Sequence, residues 1–132
     1  MFAKRRMKPA IPLLLAIIAG CGQSGPEVAP VSGRVTLDGR PLASADVSFQ
    51  PDGAQRASSG RTDADGRYQL MFKRGQPGAL AGEHTVRISI SRELVSNPPH
   101  IPARYDTQSE LRREVKADEE NVFDFDLTTE ER

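Results

Sequence analysis

Few side chains in this sequence combine the type and spacing that chemistry requires. Asp63-x-Asp65-Gly66 has the form of the first half of a calcium loop, where alternate side-chain oxygens converge on a hard cation. A complete loop closes on an acid at its twelfth position; counted from Asp63, that position is Arg74, a cation. The alternative is a structural turn. Its carboxylates accept backbone N–H groups, Gly66 takes positive φ, and Tyr68 turns inward to begin a core strand. His84 and His100 are the only histidines. A catalytic zinc centre takes three protein ligands, and no third ligand stands at a matching spacing. No serine lies in G-x-S-x-G, and the glycines of residues 75–82 lack the Lys-Ser/Thr of a phosphate loop. The acid run Asp118-Glu119-Glu120 reads as a solvated turn. The expectation is no catalytic residue, no metal site and no cofactor.

The remaining reactive group is the thiol of Cys21, the single cysteine, which excludes an intramolecular disulfide and any Cys-rich metal site. Before it come a basic segment, Met1–Lys8, and a 12-residue apolar run, PAIPLLLAIIAG. A lasting transmembrane helix needs about 20 apolar residues. Positive flank, short apolar core and small residues before a cut are instead the parts of a secretory signal. Ile18-Ala19-Gly20-Cys21 resembles a bacterial lipobox. That resemblance implies a diacylglyceryl group on the Cys21 sulfur, cleavage before Cys21, and acylation of the new amino terminus. Two or more chains are what stable anchoring takes. Residues 1–20 are thus expected to be a lipoprotein signal peptide, and lipid on Cys21 the link to the membrane. The expected location is the cell membrane or outer membrane, facing the periplasm or cell surface. Gly22 leans toward the outer membrane, because related lipoproteins retained in the inner membrane commonly carry Asp there.

Charge and length bound the rest. The 18 bases and 18 acids cancel, but four of the bases precede Cys21, leaving 14 against 18 in the remainder. A mildly acidic chain with no basic stripe argues against a nucleic-acid partner. The 132 residues allow one domain of common size. Residues 21–30 hold the lipidated cysteine and a Gly/Pro/Ser-rich spacer, GQSGPEVAP, expected to be a flexible tether.

From Val31 to residue 128 the pattern has period two, which predicts half-buried strands. Val31, Gly33, Val35 and Leu37 alternate with polar residues, as do Ala45, Val47 and Phe49. Tyr68, Leu70 and Phe72 share a face, as do Val86, Ile88 and Ile90, and finally Phe123, Phe125 and Leu127. Leu111 and Val115, with Arg112, Glu114 and Lys116 outside, suggest another strand, though a short helix fits 108–117 almost as well. Asp38-Gly39, Asp65-Gly66 and the glycines of 75–82 supply turns between the runs. Asn97–Pro102, with three prolines, is a loop. The prediction is an all-β fold, an antiparallel β-sandwich of about seven strands. Phe49, Phe72, Phe123 and Phe125 are expected in its core.

The ordered set of segments resembles the transthyretin-like or carboxypeptidase-regulatory-like domains. Val31–Leu42 looks like their opening strand and turn, and Ala45–Phe49 like their second strand. Thr62-Asp63-Ala64-Asp65-Gly66-Arg67-Tyr68 is similar to their T-D-x-x-G-x-[YF] segment, and Gly82–Val86 to a later G-x-[YH]-x-V strand. Ile101–Tyr105 and Asn121–Leu127 are similar to segments of small bacterial lipoproteins carrying this domain. The resemblance covers roughly residues 31–127 and implies a seven-stranded sandwich, usually without catalysis. The hydrolase branch of the transthyretin-like fold uses a C-terminal Y-R-G-S, whereas this chain ends Thr128-Thr129-Glu130-Glu131-Arg132. The functional expectation is therefore a non-enzymatic, lipid-anchored envelope protein with a structural or protein-interaction role and an unidentified protein partner. The alternative is a carbohydrate- or small-ligand-binding surface module. Of the mature aromatics, only Tyr105 is free of strand alternation to serve as a sugar platform, beside Arg104 and Asp106. An exposed aromatic cluster would favour a ligand, and an exposed strand edge a protein partner.

Overall fold

Alternating β-branched, aromatic and polar residues make strands with one dry and one wet face. The computed structural model describes residues 27–53 and 55–130. Its strands are β1 (Val28–Ala29), β2 (Val31–Leu37), β3 (Arg40–Pro41), β4 (Ala45–Pro51), β5 (Ser58–Arg61), β6 (Arg67–Gln69) and β7 (Met71–Lys73). There follow β8 (Gln76–Pro77), β9 (Ala79–Leu80), β10 (Gly82–Ile90), β11 (Leu111–Val115), β12 (Asn121–Val122) and β13 (Phe125–Leu127), with a 3₁₀ turn at Ala103–Tyr105. One sheet has six strands in the order β11-β10-β4-β5-β7-β8. The facing sheet is built around β2, with β12 and β13 on one side and β6 and β3 on the other. The fold is the expected all-β sandwich.

The core lies between the sheets. Val35, Ala45, Val47, Phe49, Leu70, Val86 and Ile88 are fully buried. Phe49 of β4 reaches across to Phe123 and to Phe125 of β13, ring centroids 5.9 and 6.4 Å apart. Tyr68 of β6 packs on Phe125 at 6.4 Å and donates its hydroxyl to the Phe123 carbonyl at 2.6 Å. Burial pushes its phenol pKa above the ordinary value. That carbonyl lies so close to Gly33 that a Cβ there would come within 1.9 Å of it. Glycine is what lets the C-terminal segment lie down on β2 at this point.

Several expectations change in detail. Every strand pairing is antiparallel except those of β12 and β13, which run parallel to β2 in one continuous register from Asn121↔Val31 to Leu127↔Leu37. The chain reaches them from β11 in the opposite sheet through residues 116–120, a crossover that delivers a strand in a direction no hairpin could. The strands are also shorter and more numerous than about seven. The Tyr68–Phe72 run divides at Leu70, because β6 pairs with β2 in one sheet and β7 with β5 in the other. Phe72 is consequently only half-buried, its ring covered by the Arg56 guanidinium at 5.6 Å; Phe123 is partly buried as well. The tether expected over residues 21–30 ends early: Val28–Ala29 pairs with Leu80–Ala79, and Ala29 is buried. Within residues 108–117 the strand is Leu111–Val115, β11, and no helix forms there.

Candidate interaction edge

β11 ends the six-stranded sheet. It pairs with β10 from Leu111↔Val86 to Val115↔Gly82. The phase of that ladder can be read from side contacts. Glu83 O accepts the Asp52 N–H on the β4 side at 3.1 Å, while Val86 O accepts the Ser109 hydroxyl on the β11 side. Backbone groups of neighbouring residues in a strand point to opposite sides, so His84 and Val86 face β11. Their partners Arg113 and Leu111 face back. The N–H and C=O groups of Arg112 and Glu114 therefore point off the sheet.

Side chains divide in the same way. Leu111 and Val115 turn toward the core, with Val115 buried. Arg113 shares their face, and its long stem carries the guanidinium over the Phe125 ring at 4.8 Å, closing the gap between the sheets. The same guanidinium donates to the carbonyl of Arg112 at 2.6 Å. On the outer face, Arg112 makes a two-pronged contact with Asp52, at 3.0 and 2.9 Å, and lies 3.6 Å from Glu83. Hydrogen bonding from Arg112 holds the Asp52 carboxyl below its ordinary range. Glu110, Glu114 and Lys116 are exposed and have no ion pair among the described residues.

Two residues define the ends of the edge. Ser109 accepts the Leu111 N–H at 3.1 Å and opens the strand. Asn121 closes it: its Oδ1 accepts the Lys116 N–H at 2.9 Å, and its Nδ2 lies 3.1 Å from the carbonyls of Pro30, Lys116 and Glu119. The other end of this sheet is β8, two residues long and ending in Pro77, which has no N–H to offer. β11 is thus the edge of regular length whose outward backbone groups no other strand pairs.

The residues singled out from sequence are dispersed. Cys21, the signal peptide at 1–20 and the first part of the tether lie outside the described residues. Asp63 Oδ1 accepts the N–H groups of Asp65 and Arg67, at 2.9 and 3.0 Å, and the Arg67 bond lowers its pKa. Gly66 has φ of 78° and passes within contact of the Val35 carbonyl, so the motif acts as a turn. Asp65 contributes its carbonyl, to Arg34 Nε at 3.2 Å, and makes no carboxylate bond among the described residues. His84 is fully buried against Phe49, with Nε2 2.7 Å from the Leu80 carbonyl. Its Nδ1 has no protein partner among the described residues. His100 is exposed in the proline loop. Among the described residues no three His, Cys, Asp or Glu side chains are arranged to hold a metal.

Tyr105 is half-buried; Arg104 covers its ring at 4.8 Å and its hydroxyl accepts the Thr128 N–H at 3.2 Å. None of the described aromatics is exposed. The exposed large apolar side chains, Met71, Leu94 and Val122, lie on β7, on a loop and on β12. Sequence reading missed Asn121, Arg112 and Arg113. Asn121 had one visible signal, a lone amide opening a strand directly after a charged turn; the arginines looked like ordinary solvated charge. Among the described residues no helix is long and apolar enough to cross a membrane. No protein-family model, curated protein or solved structure matches the chain.

Proposed function

We propose that this chain is a lipid-anchored β-sandwich of the bacterial cell envelope that works by holding a protein partner along β11, without catalysis. The carrying observation is that Arg112 and Glu114 direct backbone groups that pair with no strand off a five-residue edge. An extended segment from a partner would add a strand there, with main-chain bonds supplying affinity and charged side chains supplying choice. Lipid on Cys21 and the short spacer after it would hold the domain near a membrane surface. The resemblance of residues 31–127 to transthyretin-like domains agrees with a non-enzymatic role. The glycan-binding alternative finds less support, since its one candidate platform, Tyr105, has a ring face covered by Arg104.

A photoreactive residue tests the reading. Placed at Glu114 in the full chain and activated in intact cells, it should give a discrete adduct. The same group at Arg61, exposed on the interior strand β5, should give none. No adduct from position 114, or equal adducts from both, refutes an edge-bound partner.

A further inference from the structure

We infer that the partner held along β11 is a second copy of this chain, paired antiparallel about a two-fold axis through Arg113. The inference rests on the edge-binding reading and goes further by naming the occupant. Its basis is the residue order Glu110-Leu111-Arg112-Arg113-Glu114-Val115-Lys116. Folded about Arg113, that segment sets Arg112 against the partner copy's Glu114, Leu111 against its Val115, and Glu110 against its Lys116. Each of these occurs twice by symmetry, as an isologous contact demands. Opposite charges face and apolar residues face; no like pair is created except at Arg113 itself.

The geometry limits the alternatives. Within β11, Arg112 and Glu114 present backbone groups off the strand, and beyond it Lys116 has its N–H and C=O engaged by Asn121. A self-pairing ladder centred on β11 therefore matches these two positions. Centring it on Arg112 would oppose Arg112 to Arg112 and Glu110 to Glu114. Centring it on Glu114 would oppose Glu114 to Glu114 and Arg112 to Lys116. Both alternatives set like charges directly across, which destabilises a strand pair. Of these three registers the one centred on Arg113 is complementary, and it places the two Arg113 side chains at a pair without main-chain bonds. Those side chains leave from the core face of the sheet and cover Phe125. The Arg112 carbonyl accepts from Arg113 in the free chain, and a carbonyl has a second lone pair for the partner copy's Glu114 N–H. The pairing would join two six-stranded sheets into one and cover the edge that an isolated chain leaves open.

Charge reversal and a backbone block form the test, read by sedimentation velocity of the purified full chain in detergent. The native chain should self-associate as concentration rises. Glu110→Lys and Lys116→Glu should each weaken association roughly tenfold, since two attractive exposed pairs become repulsive and each is worth a few-fold. An equimolar mixture of the two variants should recover it, because every Lys then meets a Glu. Glu114→Pro removes an N–H that points to solvent in the monomer, so thermal melting should be little changed while association is lost. A chain that stays monomeric at all concentrations, or reversals and a mixture that leave association unchanged, overturns the inference. The mass of the adduct formed in cells at position 114 separates the two readings. Twice the chain mass supports self-pairing, a different protein overturns self-pairing and leaves the edge reading standing, and no adduct overturns both.

Discussion

Asn121 is the residue whose replacement tests the architecture most directly. Its side chain is buried and joins three segments: the end of β11 through Lys116, the following turn through Glu119, and the β1–β2 link through Pro30. The amide has two hydrogens for three carbonyls, so three full bonds, one accepted and two donated, are the most it makes at once. A net contribution of about 1 kcal/mol for each gives about 3 kcal/mol. Lys116, Glu119 and Pro30 are exposed, so their groups can recover water, and the Pro30 carbonyl also keeps the bond from the Asn121 backbone N–H. Asn121→Ala should therefore cost about 1–2 kcal/mol, a sizeable share of the ~5–15 kcal/mol that a domain of this kind has. Asn121→Asp keeps the acceptor for Lys116 but turns a second oxygen toward three carbonyls. The introduced carboxyl is then disfavoured in its charged form, so its folded pKa rises above the unfolded one. For such a group stability falls as pH rises through the unfolded value, and the deficit of Asn121→Asp should shrink on acidification from pH 7 toward 4. Urea unfolding at several pH values, followed by far-UV circular dichroism, measures both. A loss below about 1 kcal/mol for Asn121→Ala, or a deficit for Asn121→Asp that grows on acidification, would refute this account of how the crossover is held.

Three further outcomes are expected. Phe49→Ala should cost about 3–5 kcal/mol because the ring is fully buried between the sheets, whereas Phe72→Ala, half-exposed under Arg56, should cost about 1 kcal/mol or less; equal losses in urea melts would contradict the division of the strand at Leu70. Asp38, Asp52 and Asp63 all have lowered pKa values, through the Thr129 backbone N–H, the Arg112 side chain and the Arg67 backbone N–H respectively. Groups of this kind stabilise the fold above their unfolded value near 3.8 and lose that effect as pH falls through the lower folded value. The urea midpoint should thus drop below pH 4, less steeply in Asp63→Asn, and an unchanged slope in that variant would count against the turn's role. Cys21→Ser should abolish lipid attachment and the cut before residue 21, read by intact mass; a mature native chain with an unmodified thiol or another start ends the lipid-anchor proposal.

The sequence by itself determined the faces. Val35, Val47, Phe49, Val86, Ile88, Phe125 and Leu127 are buried where period-two alternation put them, and Asp124 and Asp126 are exposed. Alternation is local, since it follows from where successive Cβ atoms point in an extended chain, so composition along one strand suffices to show it. Asp38-Gly39 and Asp63–Gly66 were legible for the same reason: turns are closed by their own few residues. Partner choice among strands was not legible. β5, Ser-Ser-Gly-Arg, has no apolar residue and no pattern, yet it is an interior strand because Gly60 lets the Gln69 carbonyl approach, a distance a Cβ would cut to 2.2 Å. The break at Leu70 and the parallel course of β12 and β13 depend on which sheet each segment joins, decided by contacts between residues far apart in the chain. The candidate edge is of the same kind. Leu111–Val115 showed charge and weak alternation. That it ends a sheet, and that Arg112 and Glu114 rather than Arg113 face outward, depends on the phase of pairing with β10, a relation between two strands that neither strand's residues contain.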